Sequence, residues 1–278
     1  MRARLTTLAA LVALAASGLV FTGCSATLDP VAKAASRTSS VSTLRFSMKV
    51  GLQLPGTPGT VSFGATGAID SAAHRLSMTM DLSKIAALAG SPDLGRLRLI
   101  EDGSVMYMSG NELSRLLPGG KSWARIDLPQ AAGNLGLDVT GLTGGQTDPR
   151  TSFAQLSQAG NVVKMGPQTI RGVSTTRYNV LVDLRKGLDK LDGPSRETME
   201  QLVNRLEAAG SRYVPADAWI DSEGYLRRIR LAIPGYLGAG SSFSLTTDMY
   251  GFGDPVSVAV PDAAQVADLT GMLPRLGG

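Results

Sequence analysis

The chain has 278 residues, 43% hydrophobic and 18% charged, with a formal net charge of +4, a composition that suits a folded globular body and argues against wholesale disorder. One cysteine and one histidine exclude zinc sites built from several such ligands, disulfides within the chain, and any Cys-His or Ser-His chemistry not built on His74. A charge so near balance lacks the basic footprint that nucleic-acid binding needs, and no nucleic-acid partner is expected.

Arg2 and Arg4 open the chain, and Leu5 to Phe21 carries no charge and is mostly Leu, Ala and Val. This pattern predicts a secretory signal peptide over residues 1–23, whose removal lowers the net charge to +2. The run ends in Leu19-Val20-Phe21-Thr22-Gly23-Cys24-Ser25, which resembles the lipobox of bacterial lipoproteins, with Phe21 where Leu is usual. The resemblance implies a lipid attachment at Cys24, acylated as by palmitate, and a body tethered to the extracytoplasmic face of the cell membrane. An ordinary signal peptide with an incidental cysteine, or an uncleaved anchor helix of about 17 residues, are the alternatives. No later apolar stretch is long enough to cross a bilayer. Residues 24–42 read as a linker running into a short helix from about Pro30 to Arg37, and residues 43–278 as one domain.

Leu44, Phe46, Met48, Val50, Leu52 and Leu54 alternate with Arg45, Ser47, Lys49, Gly51 and Gln53, a period of two that buries one face of a strand and wets the other. The turn Pro55-Gly56-Thr57-Pro58-Gly59 follows, then Val61, Phe63, Ala65 and Ile69, then a tight connection at 70–73, then Leu76, Met78, Met80 and Leu82. Three strands joined by short turns predict an antiparallel meander. Further strands are read at 96–101, 104–109, 123–127, 162–168, 175–182, 216–221, 226–233 and 243–249, with hairpin-type turns at Asp102-Gly103 and Glu223-Gly224.

The clearest helix is 196–209, capped by Ser195 and ended by Gly210, with Met199, Leu202, Val203 and Leu206 on one face. Shorter helices fit 112–117, 152–159, 184–191 and 263–269. These are too few to cover both faces of so many strands. The expected architecture is α+β: a single strongly curved antiparallel β-sheet, a half-barrel, with a few helices covering its concave apolar face. A weak repeat aligns Arg75 to Lys84 with Arg177 to Lys186; duplication and a shared strand-to-helix Asp cap both explain it. Gly-rich 134–146 is read as a loop or lid.

His74 reads as a turn residue, since no partner cluster accompanies it. Asp70, Asp81, Asp127, Asp183, Asp221 and Glu223 stand singly at strand ends, without a paired-acid signature. No P-loop, G-x-G-x-x-G, G-x-S-x-G or calcium loop is present, so neither catalysis nor a cofactor is expected. Arg228 and Arg230 share a polar strand face and are candidate headgroup or partner contacts, or a solvated outer face. Met48, Met78, Met80, Met106, Met108, Met165 and Met249 lie in or beside strands, where methionine either fills an ordinary core or adapts to a flexible guest. Many strands, few helices and 5% aromatics favour an apolar concavity left partly open.

Two stretches carry a family resemblance: Gly166-Pro-Gln-Thr-Ile-Arg-Gly172-Val173-Ser-Thr175-Thr-Arg177-Tyr178 leading to Val182-Asp183-Leu184, and Val214-Pro215-Ala-Asp-Ala-Trp219-Ile220-Asp221-Ser-Glu-Gly224-Tyr-Leu226-Arg227-Arg228. With the Asp102-Gly103 hairpin and the turn before Trp123, they resemble the LppX/LprA/LprF/LprG lipoproteins of actinobacterial envelopes and, more distantly, LolA and RseB. The resemblance implies a half-barrel enclosing a hydrophobic cavity for a lipid or acylated glycolipid carried through the envelope. The alternative is an RseB-like sensor that binds an envelope protein partner. Alternation, not the resemblance, nominates the cavity lining: Phe46, Met48, Val50, Phe63, Leu76, Met78, Met80, Val180, Val182, Phe243 and Leu245.

Overall fold

The computed structural model of the chain describes residues 30–56, 59–88, 95–135, 160–183, 185, 188, 193–208, 210, 211, 213–236 and 238–271. The expected signal segment, Cys24, the expected helix at 152–159 and most of 134–146 and 184–191 lie outside them.

The described chain begins with α1 (Pro30–Ser39), in which Val31, Ala34, Ala35 and Thr38 are buried. Their i, i+3, i+4, i+7 spacing makes one stripe along the helix. The meander follows as β1 (Thr43–Gln53), β2 (Thr60–Asp70) and β3 (Arg75–Asp81). After the short α2 (Ser83–Leu88) come β4 (Arg96–Asp102), β5 (Val105–Gly110), α3 (Asn111–Leu116), β6 (Trp123–Asp127) and α4 (Leu128–Leu135). The second half is β7 (Gly160–Ile170), β8 (Val173–Asp183), α5 (Gly193–Ala208), β9 (Tyr213–Asp221), β10 (Leu226–Pro234), β11 (Ser242–Tyr250) and β12 (Val266–Asp268). Gly210, at φ +83°, ends α5 as expected, with Ser211 N donating to Leu206 O at 2.8 Å.

All twelve strands form one open sheet in the order β12-β6-β5-β4-β3-β2-β1-β11-β10-β9-β8-β7. The sheet curls around its apolar face. Buried residues of β1 to β4 and of β8 to β11 join α1 in one cluster on that face. One end collects the tight turns at 71–74, 103–104, 171–172 and 222–225. The other, called here the loop end, carries the β1–β2 and β10–β11 turns and the helical connections.

Two expectations change. The sheet is mixed, because β12 pairs parallel with β6, Val266 with Trp123 and Asp268 with Arg125. The segment 263–269 is accordingly a single 3-10 turn, Ala263–Gln265, followed by this strand instead of a helix. The physical cause lies in the strap joining β11 to β12. It leaves the hairpin end beside β1, where Thr43 Oγ1 donates to Asp254 O and Arg45 Nη2 to Pro255 O, each at 2.8 Å. It reaches the loop end at Ala264, whose carbonyl accepts from Lys121 Nζ at 2.7 Å. A chain arriving at that end can only enter the sheet in the direction of β6.

The second change concerns the expected linker at 24–42, whose helical part is core. Val31 and Ala34 pack in the main buried cluster with Leu44, Phe46, Ile220 and Leu226, and the fully buried Val31 side chain alone contributes about 1.5–3 kcal/mol. Thr38 Oγ1 accepts from the backbone N–H of Leu226 at 2.9 Å. Arg37 lies over the Tyr225 ring at 4.9 Å, and that ring stacks on Phe252 at 4.8 Å. The folded body therefore begins by residue 30.

The two copies of the weak repeat end alike. Asp81 accepts from Ser83 N at 3.1 Å and Ser83 Oγ at 2.6 Å, and Asp183 accepts from Arg185 N at 3.0 Å. Each Asp caps the start of the segment after its strand, so a shared cap explains the similarity.

Close packing on the inner face generates two predictions. At Gly67 an added Cβ would overlap the Phe46 ring and the Ser77 carbonyl, so Gly67→Ala is expected to lower stability by about 1–3 kcal/mol, read as a lower denaturant midpoint. Thr38→Val keeps the shape of the side chain but strips the Leu226 N–H of its acceptor. A loss of about 1–3 kcal/mol is expected, and an unchanged midpoint would contradict the docking of α1.

Candidate functional site

Register defines the inner face residue by residue. One row runs Phe46, Gly67, Met78, Leu99, Met108 across β1 to β5, and the next runs Met48, Ala65, Met80, Leu97. On the other side of β1, Val50 stands beside Leu245, then Leu231, Ala216 and Val180. Leu52 stands beside Phe243 and then Ile233. Since paired residues share a face, Met48, Met78, Met80, Met106, Met108 and Met249 all point inward.

The residues nominated from alternation as cavity lining all lie on this face, and burial divides them. Phe46, Val50, Leu76, Met80, Val180 and Val182 are buried. Met48, Phe63, Met78, Phe243 and Leu245 are half-buried. So are Leu97, Met106, Met108, Leu231 and Ile233, which belong to the same strip and were open to the same reading of alternation. Half-buried and buried residues interleave along the face: Met78, Met106 and Met108 on β3 and β5 and Leu231, Ile233, Phe243 and Leu245 on β10 and β11 are half-buried, while Val50, Leu52, Met80 and Val180 between them are buried.

Met165 departs from the expected apolar face. A register shift between Lys164 and Gly166 marks a β-bulge, which leaves Met165 55% exposed. An extra residue in one strand breaks the alternation that sequence reading relies on. On the outer side of the same edge, Val163 and Leu181 are also exposed.

Two polar residues on the inner face carry no sequence signal. Glu101 pairs with Leu76 and Met106 and is buried. Thr247 pairs with Met48 and Ile229 and is 1% exposed. Each sits at an inward position of an alternating strand otherwise filled by apolar residues.

Arg228 and Arg230 stand on the opposite, outer face, since the inward positions of β10 are Ile229, Leu231 and Ile233. Arg228 is committed to Asp248, donating through Nε and through Nη2, the latter at 2.8 Å. That carboxylate holds the guanidinium pKa above its ordinary value. The same guanidinium lies 5.8 Å from the Trp219 ring, with Arg177 on the other side at 5.5 Å. Arg177 in turn donates to Asp217 at 2.8 Å. Arg228 is therefore a structural partner in this ladder. Arg230 is exposed on the same outer face and is turned away from the methionine strip.

The strand-end acids are engaged in turns. Asp70 accepts from Ala73 N, Asp127 from Gln130 N, and Asp221 from Glu223 N and Tyr225 N. His74 occupies the β2–β3 turn in the left-handed region, φ +53°. Among the described residues, no group of three or more His, Cys, Asp or Glu is placed to hold a metal ion. No helix among them is long and apolar enough to cross a membrane.

Comparison with known proteins gives three kinds of result. No family model matches the chain. A curated relative, an uncharacterized 31.2 kDa protein of the rplA-rplJ intergenic region of Streptomyces griseus, is 28% identical over 162 residues, covering 57% of this chain and 52% of that protein. The match thus spans about half the length of either. Among solved structures the chain is similar to the lipoprotein LppX of Mycobacterium tuberculosis, at 14% identity and TM-score 0.46, covering 84% of this chain and all of that one. It is similar to LprF from Mycobacterium bovis at 11% identity and TM-score 0.42, covering 84% and 96%. A LolA superfamily protein from Nitrosomonas europaea is similar at 9% identity and TM-score 0.31, covering 85% and 95%. These structures are of the kinds that the sequence motifs resemble, and the likeness is one of fold.

Proposed function

We propose that the chain is a membrane-anchored lipoprotein that binds the acyl chains of a lipid or acylated glycolipid on its inner face and carries them through the cell envelope. The observation that supports this reading is the half-buried strip Met48, Met78, Met108, Leu231, Leu245 and Phe243. It is apolar, lies on one face by register, and is only half-buried. Unbranched thioether side chains repack around guests of differing shape, and each methylene buried against them contributes about 0.8 kcal/mol. A chain of ordinary length thereby offsets its extraction from a bilayer without any bond being made or broken. Acylation of Cys24 would hold the body near its source: six residue steps separate it from Pro30, a span of about 20 Å when fully extended.

A second reading, a module that binds an envelope protein, draws on the exposed Val163, Met165, Leu181 and Tyr213 at the β7–β9 edge. Exposed apolar surface of this kind marks contact sites in other proteins.

Solvent extraction and native mass spectrometry of the purified protein are expected to release a bound lipid. Replacing Met48 and Leu245 together by Trp is expected to cut uptake of a fluorescent lipid at least about tenfold by filling the strip. A wild type that takes up no lipid, yet retains one stoichiometric membrane protein lost in Leu181→Lys, would favour the second reading instead. In cells, Cys24→Ala is expected to abolish palmitate labelling and move the protein to the soluble fraction; unchanged labelling would refute the anchor.

A further inference from the structure

Several buried hydroxyls of the fold are paired within the chain. Thr175 Oγ1 donates to Gln168 O and Ser241 Oγ to Gly238 O, while Thr38 Oγ1 and Thr270 Oγ1 accept from the backbone N–H groups of Leu226 and Asp127. Thr247 departs from this pattern. It is 1% exposed, and its hydroxyl makes no hydrogen bond to the described residues. A buried hydroxyl without a partner is costly, and native proteins rarely keep one without use.

The ladder fixes where this hydroxyl stands. Met48 lies opposite Thr247 on β1 and Ile229 on β10, both inward, and Leu245 and Met249 are the next inward residues along β11. Ile229 and Met249 are buried, whereas Met48 and Leu245 are half-buried. Thr247 therefore sits where the packed core gives way to the half-buried strip. The unbranched thioether of Met48 can turn aside, which opens the hydroxyl to a guest lying against Leu245.

The surroundings select the kind of partner. The four flanking inward side chains are apolar, and the same row continues into Ala65 on β2 and Ala218 on β9. A carboxylate or phosphate brought here would exchange its hydration for a single neutral donor, leaving most of its desolvation cost unmet. A neutral oxygen needs only one such bond, and a threonine hydroxyl can both donate and accept.

We propose that Thr247 is a hydrogen-bonding site for a neutral oxygen, a hydroxyl or ketone, carried on the acyl chain of the bound lipid and set between Met48 and Leu245. This rests on the lipid-binding reading and narrows the ligand from acyl chains in general to chain-oxygenated ones.

The test is displacement of a fluorescent phosphatidylcholine from the full chain. The competitors are methyl stearate, hydroxystearate methyl esters substituted beside the head, at mid-chain or near the tail, and the mid-chain ketone. Wild type is expected to bind its best oxygenated ester about fivefold more tightly than methyl stearate, the scale of one neutral hydrogen bond. Thr247→Val keeps the shape without the hydroxyl and is expected to erase that preference while binding methyl stearate as before; Thr247→Ser is expected to retain it. Since the valine variant buries no unpaired hydroxyl, its melting temperature without lipid is expected to equal or exceed that of wild type. A lower one would mean that the hydroxyl is already bonded inside the protein, and would overturn the site. Oxygenated and plain esters that bind wild type alike, or a preference that survives in Thr247→Val, would overturn the site and leave the carrier reading standing. Wild type that takes up neither the fluorescent lipid nor any ester would overturn both.

Discussion

One constraint organises the molecule: a sheet this wide has a continuous apolar face, and the described chain supplies one helix to its main core. Side chains alternate along β1 to β5 and β8 to β11, apart from a register shift between Leu226 and Arg228, so every inward position must be covered by something. Buried residues of β1 to β4 and β8 to β11 form one cluster with this helix. Helix α1 fills the hairpin end through Val31 and Ala34. Toward the loop end, the inward residues of β10 and β11, Leu231, Ile233, Leu245 and Phe243, stay half-buried, whereas Val50, Leu52 and Met80 are buried. The uncovered strip thus follows from the ratio of sheet to helix, and the methionines are the side chains best suited to line a surface with no fixed partner.

The outer face obeys a different logic. Its stability comes from polar ladders, with Arg177, Trp219 and Arg228 stacked across three strands and their charges met by Asp217 and Asp248. Such pairing lets a wide sheet carry arginines over its β9 strand while keeping Trp219 only 5% exposed. The cost of holding long charged side chains in one geometry is offset by their stacking on the indole as well as by the ion pairs. Arg227 and Arg228, which stand in a basic cluster along the chain, are in space paired with Asp221 and Asp248.

The fold was largely legible because period two is a strong local signal: Trp123–Asp127 was bounded to the residue, and most other strands to within a few positions. What escaped was what alternation cannot encode. The bulge at Met165 breaks the period. The direction of β12 depends on a strap that crosses the sheet, and three residues are too few to announce a strand. The role of α1 in the core depends on contacts with β9 and β10, far along the chain, so the segment read as a tether. Alternation told which side chains point inward, but not which of them are buried and which half-buried, since that depends on contacts that only the folded chain makes. Tyr236 lies in a Gly-rich turn without periodicity. Its ring packs beside Phe243, a contact that the sequence pattern does not announce.

The hydrogen bond from Leu226 N to Thr38 Oγ1 joins residues 188 positions apart, and β1 takes β11 as one of its two neighbours. The first helix and the central strand therefore have no finished binding site until nearly the whole chain is present. Such topology makes folding slow, because a large loop must close before its contacts reward it. For a chain that crosses a membrane amino end first, α1 and β1 would wait beside the bilayer with their apolar stripes uncovered until β9 to β11 arrive. The same segments that later frame the half-buried strip are thus the ones most in need of a holding partner, or of the lipid surface itself, during such a crossing.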